Sequence, residues 1–75
     1  MSIEHALGDV RERLSQNVIQ LRKARGLAQE RLALEAGIDR TVVSKIERKL
    51  ANPSLEILVR LALTLEVQVG ELLKP

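Results

Sequence analysis

The stretch Gln29–Lys49, QERLALEAGIDRTVVSKIERK, decides the fold. Gly37 at its centre separates two short helical segments. One runs over about Ala28 to Ala36 with Leu32, Ala33 and Ala36 inward, and the other runs from Asp39 to about Arg48 with Val43 and Ile46 on its buried edge. Glycine can adopt the left-handed conformation that turns a chain sharply out of a helix, and the Asp39 carboxylate can accept the orphan amide hydrogens of the turn that follows. Ala33 is small where the two helices would cross, and Ile38 plugs the turn. Two helices joined in this way make a wedge. The second fits a DNA major groove, about 12 Å wide, while the first crosses the backbone. On that second helix Arg40, Thr41, Ser44, Lys45 and Arg48 face outward.

Upstream, Val10, Leu14, Val18 and Leu21 recur at steps of one helix face, and Gly26 closes that helix. Asp9 with Glu12 suits a capping box, whereas Ile3 and Leu7 extend the same stripe and allow an earlier start; both starts stay open, and residues 1–12 are set apart as an N-terminal extension. Downstream, Asn52-Pro53-Ser54 breaks the chain and recaps it. A fourth helix follows to about Leu65, with Leu55, Leu58, Leu61, Ala62 and Leu65 as its apolar stripe, and a short fifth near Val69 to Leu73 closes the chain. The expected fold is all-α: one compact five-helix bundle over residues 1–75, with the helix-turn-helix at 29–48.

Composition narrows the function. A chain of 75 residues has room for one core. It has no cysteine and a single histidine, His5, so neither a disulfide framework nor a structural zinc site is expected, and no cofactor is called for. Without clustered carboxylates or a glycine-rich phosphate loop, the usual catalytic constellations cannot be assembled, and an enzyme is not expected. The start MSIEHALGDVRERLSQ has neither the basic opening nor the apolar run of a secretory signal, which points to a cytoplasmic, nucleoid-associated protein away from membranes. No aromatic residue is present to stack an unpaired base, so duplex DNA is the better partner. The formal net charge of +2 decides little, but the positive charge lies on the first two-thirds of the chain.

The stretch above, preceded by LRKARGLA and followed by NPSLEILVRLALTLEV, resembles the Xre/Cro-type helix-turn-helix family of phage repressors and restriction-modification controller proteins, over about Leu14 to Leu73. The resemblance implies a lambda-repressor-like five-helix domain, a homodimer on a pseudo-palindromic operator, and control of transcription. Three positions depart from the family's habit: Ala28 stands where serine or threonine usually caps, and Lys49 and Glu66 stand where glycine is common.

Carried onto this chain, the resemblance makes Gln29 a phosphate contact that also orients the recognition helix, and it aims Arg40, Thr41 and Lys45 at base edges. Arginine and lysine can donate to guanine O6 and N7, and threonine can offer a methyl to thymine; Ser44 is a further candidate on the same face. It also implies an ion pair of Arg22 with Glu47 tying the first helix to the third. Arg48, Lys49, Asn52 and Ser54 are expected on phosphates, because the chain leaving a groove-bound helix passes beside the backbone, and Arg25 and Arg31 are candidates for the same rim. Ile57, Leu63 and Val69 are apolar beyond what the fourth-helix stripe needs and are expected at a dimer interface formed by residues 54–73. Two-fold symmetry would set the recognition helices about 34 Å apart. The competing reading is an antitoxin-type interaction module with secondary DNA binding. A chain that ends at Pro75, with only residues 1–12 to spare for wrapping a partner, favours the regulator, and no small-molecule ligand is suggested.

Overall fold

The computed structural model describes residues 2–75, in five helices: α1 (Ile3–Ala24), α2 (Gln29–Ala36), α3 (Arg40–Glu47), α4 (Leu55–Leu65) and α5 (Val69–Leu73). There is no strand among the described residues. Ser2 caps α1 by accepting from the His5 amide, so the earlier of the two possible starts is the one adopted. From Ile3 onward, the segment set apart as an extension is therefore continuous with α1. Asp39 and Ser54 cap α3 and α4 in the same manner, while Ala28 at the start of α2 offers no side-chain acceptor.

Helices α1 to α4 all end in one way: a residue just past the helix is left-handed, and its successor donates back to a carbonyl five residues earlier. Gly26 and Gly37 fill this position after α1 and α2, Lys49 (φ 65°) and Glu66 (φ 59°) after α3 and α4. The chain thus keeps the turn geometry of glycine at two positions where a Cβ makes it costly, by about 1–2 kcal/mol each. Lys49→Gly is expected to stabilise the protein by about 0.5–1 kcal/mol after the larger unfolded-state entropy of glycine is subtracted. Ala28→Ser, which supplies the missing cap, should add about 1 kcal/mol, a rise in Tm of roughly 4–8 °C by thermal denaturation.

The core is wholly aliphatic. α1 contributes Leu14 and Val18; α2 Leu32, Ala33 and Ala36; α3 Val43 and Ile46; α4 Leu58, Leu61, Ala62 and Leu65; α5 Leu72. Steps of three and four place each set on one face. One expected core residue is elsewhere: Leu55 is 77% exposed. It opens α4, and side chains on a helix lean toward its N-terminus, so this one projects past the end of the bundle instead of down onto it.

Candidate nucleic-acid interface

Helix α3 is held from behind at its C-terminal end. The Arg22 guanidinium donates from Nε to Glu47 Oε2 at 2.7 Å and from Nη2 to Oε1 at 3.0 Å, and from Nη1 to the Leu27 carbonyl at 2.8 Å. Gln29 Nε2 donates to the same Glu47 Oε1 at 3.0 Å, and Ser15 Oγ donates to the Glu47 backbone carbonyl at 2.6 Å. The carboxylate hydrogen-bonded to Arg22 raises the guanidinium's pKa above its ordinary value. One charged knot therefore joins α1, the turn after it, the start of α2 and the end of α3. The Arg22–Glu47 pair expected from the resemblance is present in bidentate form. Gln29 has one amide hydrogen fixed on Glu47, an orienting role toward α3. Ser15 is buried and had no sequence signal beyond its place on the inner face of α1.

At the opposite end, Asp39 Oδ1 accepts from the Thr41 amide at 2.8 Å and from the Thr41 hydroxyl at 2.6 Å. The hydroxyl bond, reinforced by the backbone one, holds the Asp39 carboxyl below its ordinary pKa. Because the value is depressed in the folded state, the cap contributes fully above the ordinary carboxylate range and is lost as pH falls through the lowered value. Asp39→Ala is expected to melt below the parent at pH 7, with the gap closing once the pH drops below about 4; paired melts at pH 7 and pH 3 measure it. Thr41, its hydroxyl hydrogen turned toward Asp39, is exposed.

The chain has 12 lysines and arginines, of which Arg22, Arg25, Arg31, Arg60 and Lys74 pair with carboxylates. Among the described residues, Arg40, Lys45, Arg48 and Lys49 have no carboxylate within pairing distance, and all four lie exposed on α3 or the turn after it. Ser44, half-buried, sits between them. The candidate readers Arg40, Thr41 and Lys45 are thus brought onto one accessible face, with Arg48 and Lys49 continuing it. The rim candidates Arg25 and Arg31 are instead engaged by Glu66 at 2.8 Å and Glu35 at 2.6 Å. Asn52 and Ser54 follow the turn after α3, the first bonded to Arg11 through its amide oxygen and the second capping α4 through Oγ. Each keeps a donor directed elsewhere.

Of the three candidate dimer residues, only Leu63 is well exposed, at 73%. Ile57 and Val69 are half-buried and already pack on the core. At about 100° per residue, Ile57 and Leu63 lie about 120° apart around α4, on opposite flanks of its buried stripe. The exposed apolar line is Leu55, Val59 and Leu63, one residue per helical turn. Among the described residues, no helix is long and apolar enough to cross a membrane.

This geometry is shared with known proteins. Residues 18–72 match the HTH_3 helix-turn-helix family. Over 65 residues the chain is 40% identical to control protein C.SmaI of Serratia marcescens, spanning 87% of this chain and 77% of that one. It is also 40% identical over 67 residues to a hypothetical transcription factor of Neisseria meningitidis, covering 89% of this chain and 63% of the relative's length. The solved structure of the Neisseria protein superimposes with a TM-score of 0.85 at 39% identity, over 88% of this chain and 76% of that one. The restriction-modification controller protein C.Esp1396I, solved as a tetramer in complex with its natural 35-base-pair operator, is 28% identical with a TM-score of 0.73, over 99% of this chain and all of that one. With more than half its length matched by the family and relatives 40% identical over most of both chains, the chain belongs to the helix-turn-helix family.

Proposed function

We propose that this protein is a sequence-specific, duplex-DNA-binding transcriptional regulator that acts as a homodimer on a pseudo-palindromic operator, of the restriction-modification controller type. The observation that carries the reading is that, among the described residues, four of the seven lysines and arginines without a carboxylate partner, Arg40, Lys45, Arg48 and Lys49, lie together on α3 and the turn after it, on a helix whose other side is pinned by the Arg22–Glu47 knot. Cations left unneutralised on a rigid, groove-sized helix suit phosphate and guanine acceptors. Arg40, Thr41 and Lys45, with Ser44, read base edges. Gln29, Arg48, Lys49, Asn52 and Ser54 hold phosphates. The protein works by binding rather than catalysis, in the cytoplasm on nucleoid DNA. The relatives support the dimeric part of this reading, since one was crystallised as an assembly on operator DNA. The α4 line of Leu55, Val59 and Leu63 supports it from this chain.

Selection from a pool of random duplexes at low and then physiological salt tests the proposal. A two-fold motif that survives the higher salt is expected, and uniform loss across all sequences would leave only phosphate attraction. With the selected duplex, Arg40→Ala should cost about 1–3 kcal/mol and relax the preference at one base pair per half-site. Equal weakening on every sequence would move Arg40 from reading to phosphate contact.

A further inference from the structure

Arg11 lies on α1 seven residues before the family match begins, yet it reaches the turn after α3 across 41 residues of sequence. Its Nε donates to Asn52 Oδ1 at 3.1 Å and to the Ala51 carbonyl at 3.3 Å, and its Nη2 donates to the same Oδ1 at 2.5 Å. A guanidinium only donates, so the side of the Asn52 amide that faces it must be the oxygen. The amide nitrogen is thereby directed away from Arg11, and among the described residues it donates to no protein acceptor, although Asn52 is exposed. Arg11 borders an apolar groove of about 260 Å³ lined also by Leu7, Val10, Leu14, Pro53, Leu58 and Leu73. Pro53 fixes the backbone that leaves Asn52 and restricts that of Asn52 itself.

We infer that Arg11 is a positioning residue for DNA binding: it locks the Asn52 amide with its N–H₂ outward, so that a backbone phosphate beside α3 meets a donor. This rests on the reading of α3 as the groove-bound helix. A free asparagine amide can turn over and offer its oxygen to the phosphate, which repels it; Arg11 removes that alternative. Nε and one N–H of Nη2 are taken by Ala51 and Asn52, and the salt dependence of binding separates this positioning role from a direct phosphate contact by the remaining N–H groups. The N-terminal half of α1 thus belongs to the DNA-binding apparatus, although it lies outside the family's span.

The test uses the full chain and the duplex obtained by selection. Asn52→Ala is expected to weaken binding about tenfold, the scale of one hydrogen bond to a charged group, and Arg11→Gln about two- to threefold, because a freed amide still reaches the donating orientation part of the time. The double variant should be no weaker than Asn52→Ala alone, because without the amide there is nothing left for Arg11 to orient. The dependence of log K on log salt should be unchanged in Arg11→Gln, whereas Lys49→Ala, which removes a charge from a phosphate, should lower that slope by about 0.9. Thermal melts confirm that each variant is folded at the binding temperature. Additive losses in the double variant overturn the inference, as does a slope for Arg11→Gln that falls like that of Lys49→Ala. Unchanged affinity of Arg11→Gln beside a tightly binding parent overturns this inference alone. A parent protein with no affinity for any duplex overturns it together with the reading beneath it.

Discussion

Glu47→Ala is expected to destabilise the protein by about 3–5 kcal/mol and to lower its Tm by roughly 15 °C or more. Glu47 is the last residue of α3, where the helix macrodipole disfavours an anion, so its place there depends on its partner. That partner is nearly dry: the Arg22 and Glu47 side chains are 12% and 6% exposed. Removing the carboxylate leaves the Arg22 cation buried with the Leu27 carbonyl as its remaining acceptor, and it strands the Gln29 amide as well. A double change to apolar residues, Arg22→Met with Glu47→Leu, should recover part of the loss because no unpaired charge stays behind. DNA affinity of Glu47→Ala, measured well below its melting temperature, should fall much less than its stability, since α3 keeps every outward side chain. A melting curve superimposable on the parent's would show that the pair does not hold α3.

The helix boundaries are largely legible in the amino-acid sequence. The positions of Gly37, Asp39 and Ser54 fix the ends of α2, α3 and α4 through local rules that need no tertiary information. Long-range polar contacts are not legible. Nothing in the spacing of Ser15 and Glu47, or of Arg11 and Asn52, says that they meet; both depend on how α1 lies across α3, a matter of packing register. Exposure on α4 is half legible. A helix with eight apolar residues out of eleven carries two apolar faces, and period alone cannot say which faces the core. Periodicity assigns Leu55 inward and leaves Ile57 outward, and the packing of α2 and α5 against α4 reverses their order of exposure.

That reversal leads to the other large effect expected. Leu63→Asp should leave the chain folded, with a Tm within a few degrees of the parent's apart from any stabilisation lost with the dimer, because the side chain is 73% exposed and supports no core contact. If the proposed α4 line is the dimer contact, the change should nevertheless abolish dimerisation, since an aspartate on that apolar line must be desolvated against the second copy. The loss in operator affinity follows from linkage. A dimer brings its second recognition helix to the second half-site at an effective concentration near millimolar, worth roughly 10² to 10⁴ in affinity, and a monomer forfeits it. Sedimentation at tens of micromolar and titration of the selected duplex measure the two parts. Ile57→Ala is the informative contrast: half-buried on the other flank, it should lower the Tm while leaving the dimer intact. Were Ile57→Ala to dissociate the dimer and Leu63→Asp to leave it whole, the interface would lie on the Ile57 flank and the line of Leu55, Val59 and Leu63 would be free for another partner.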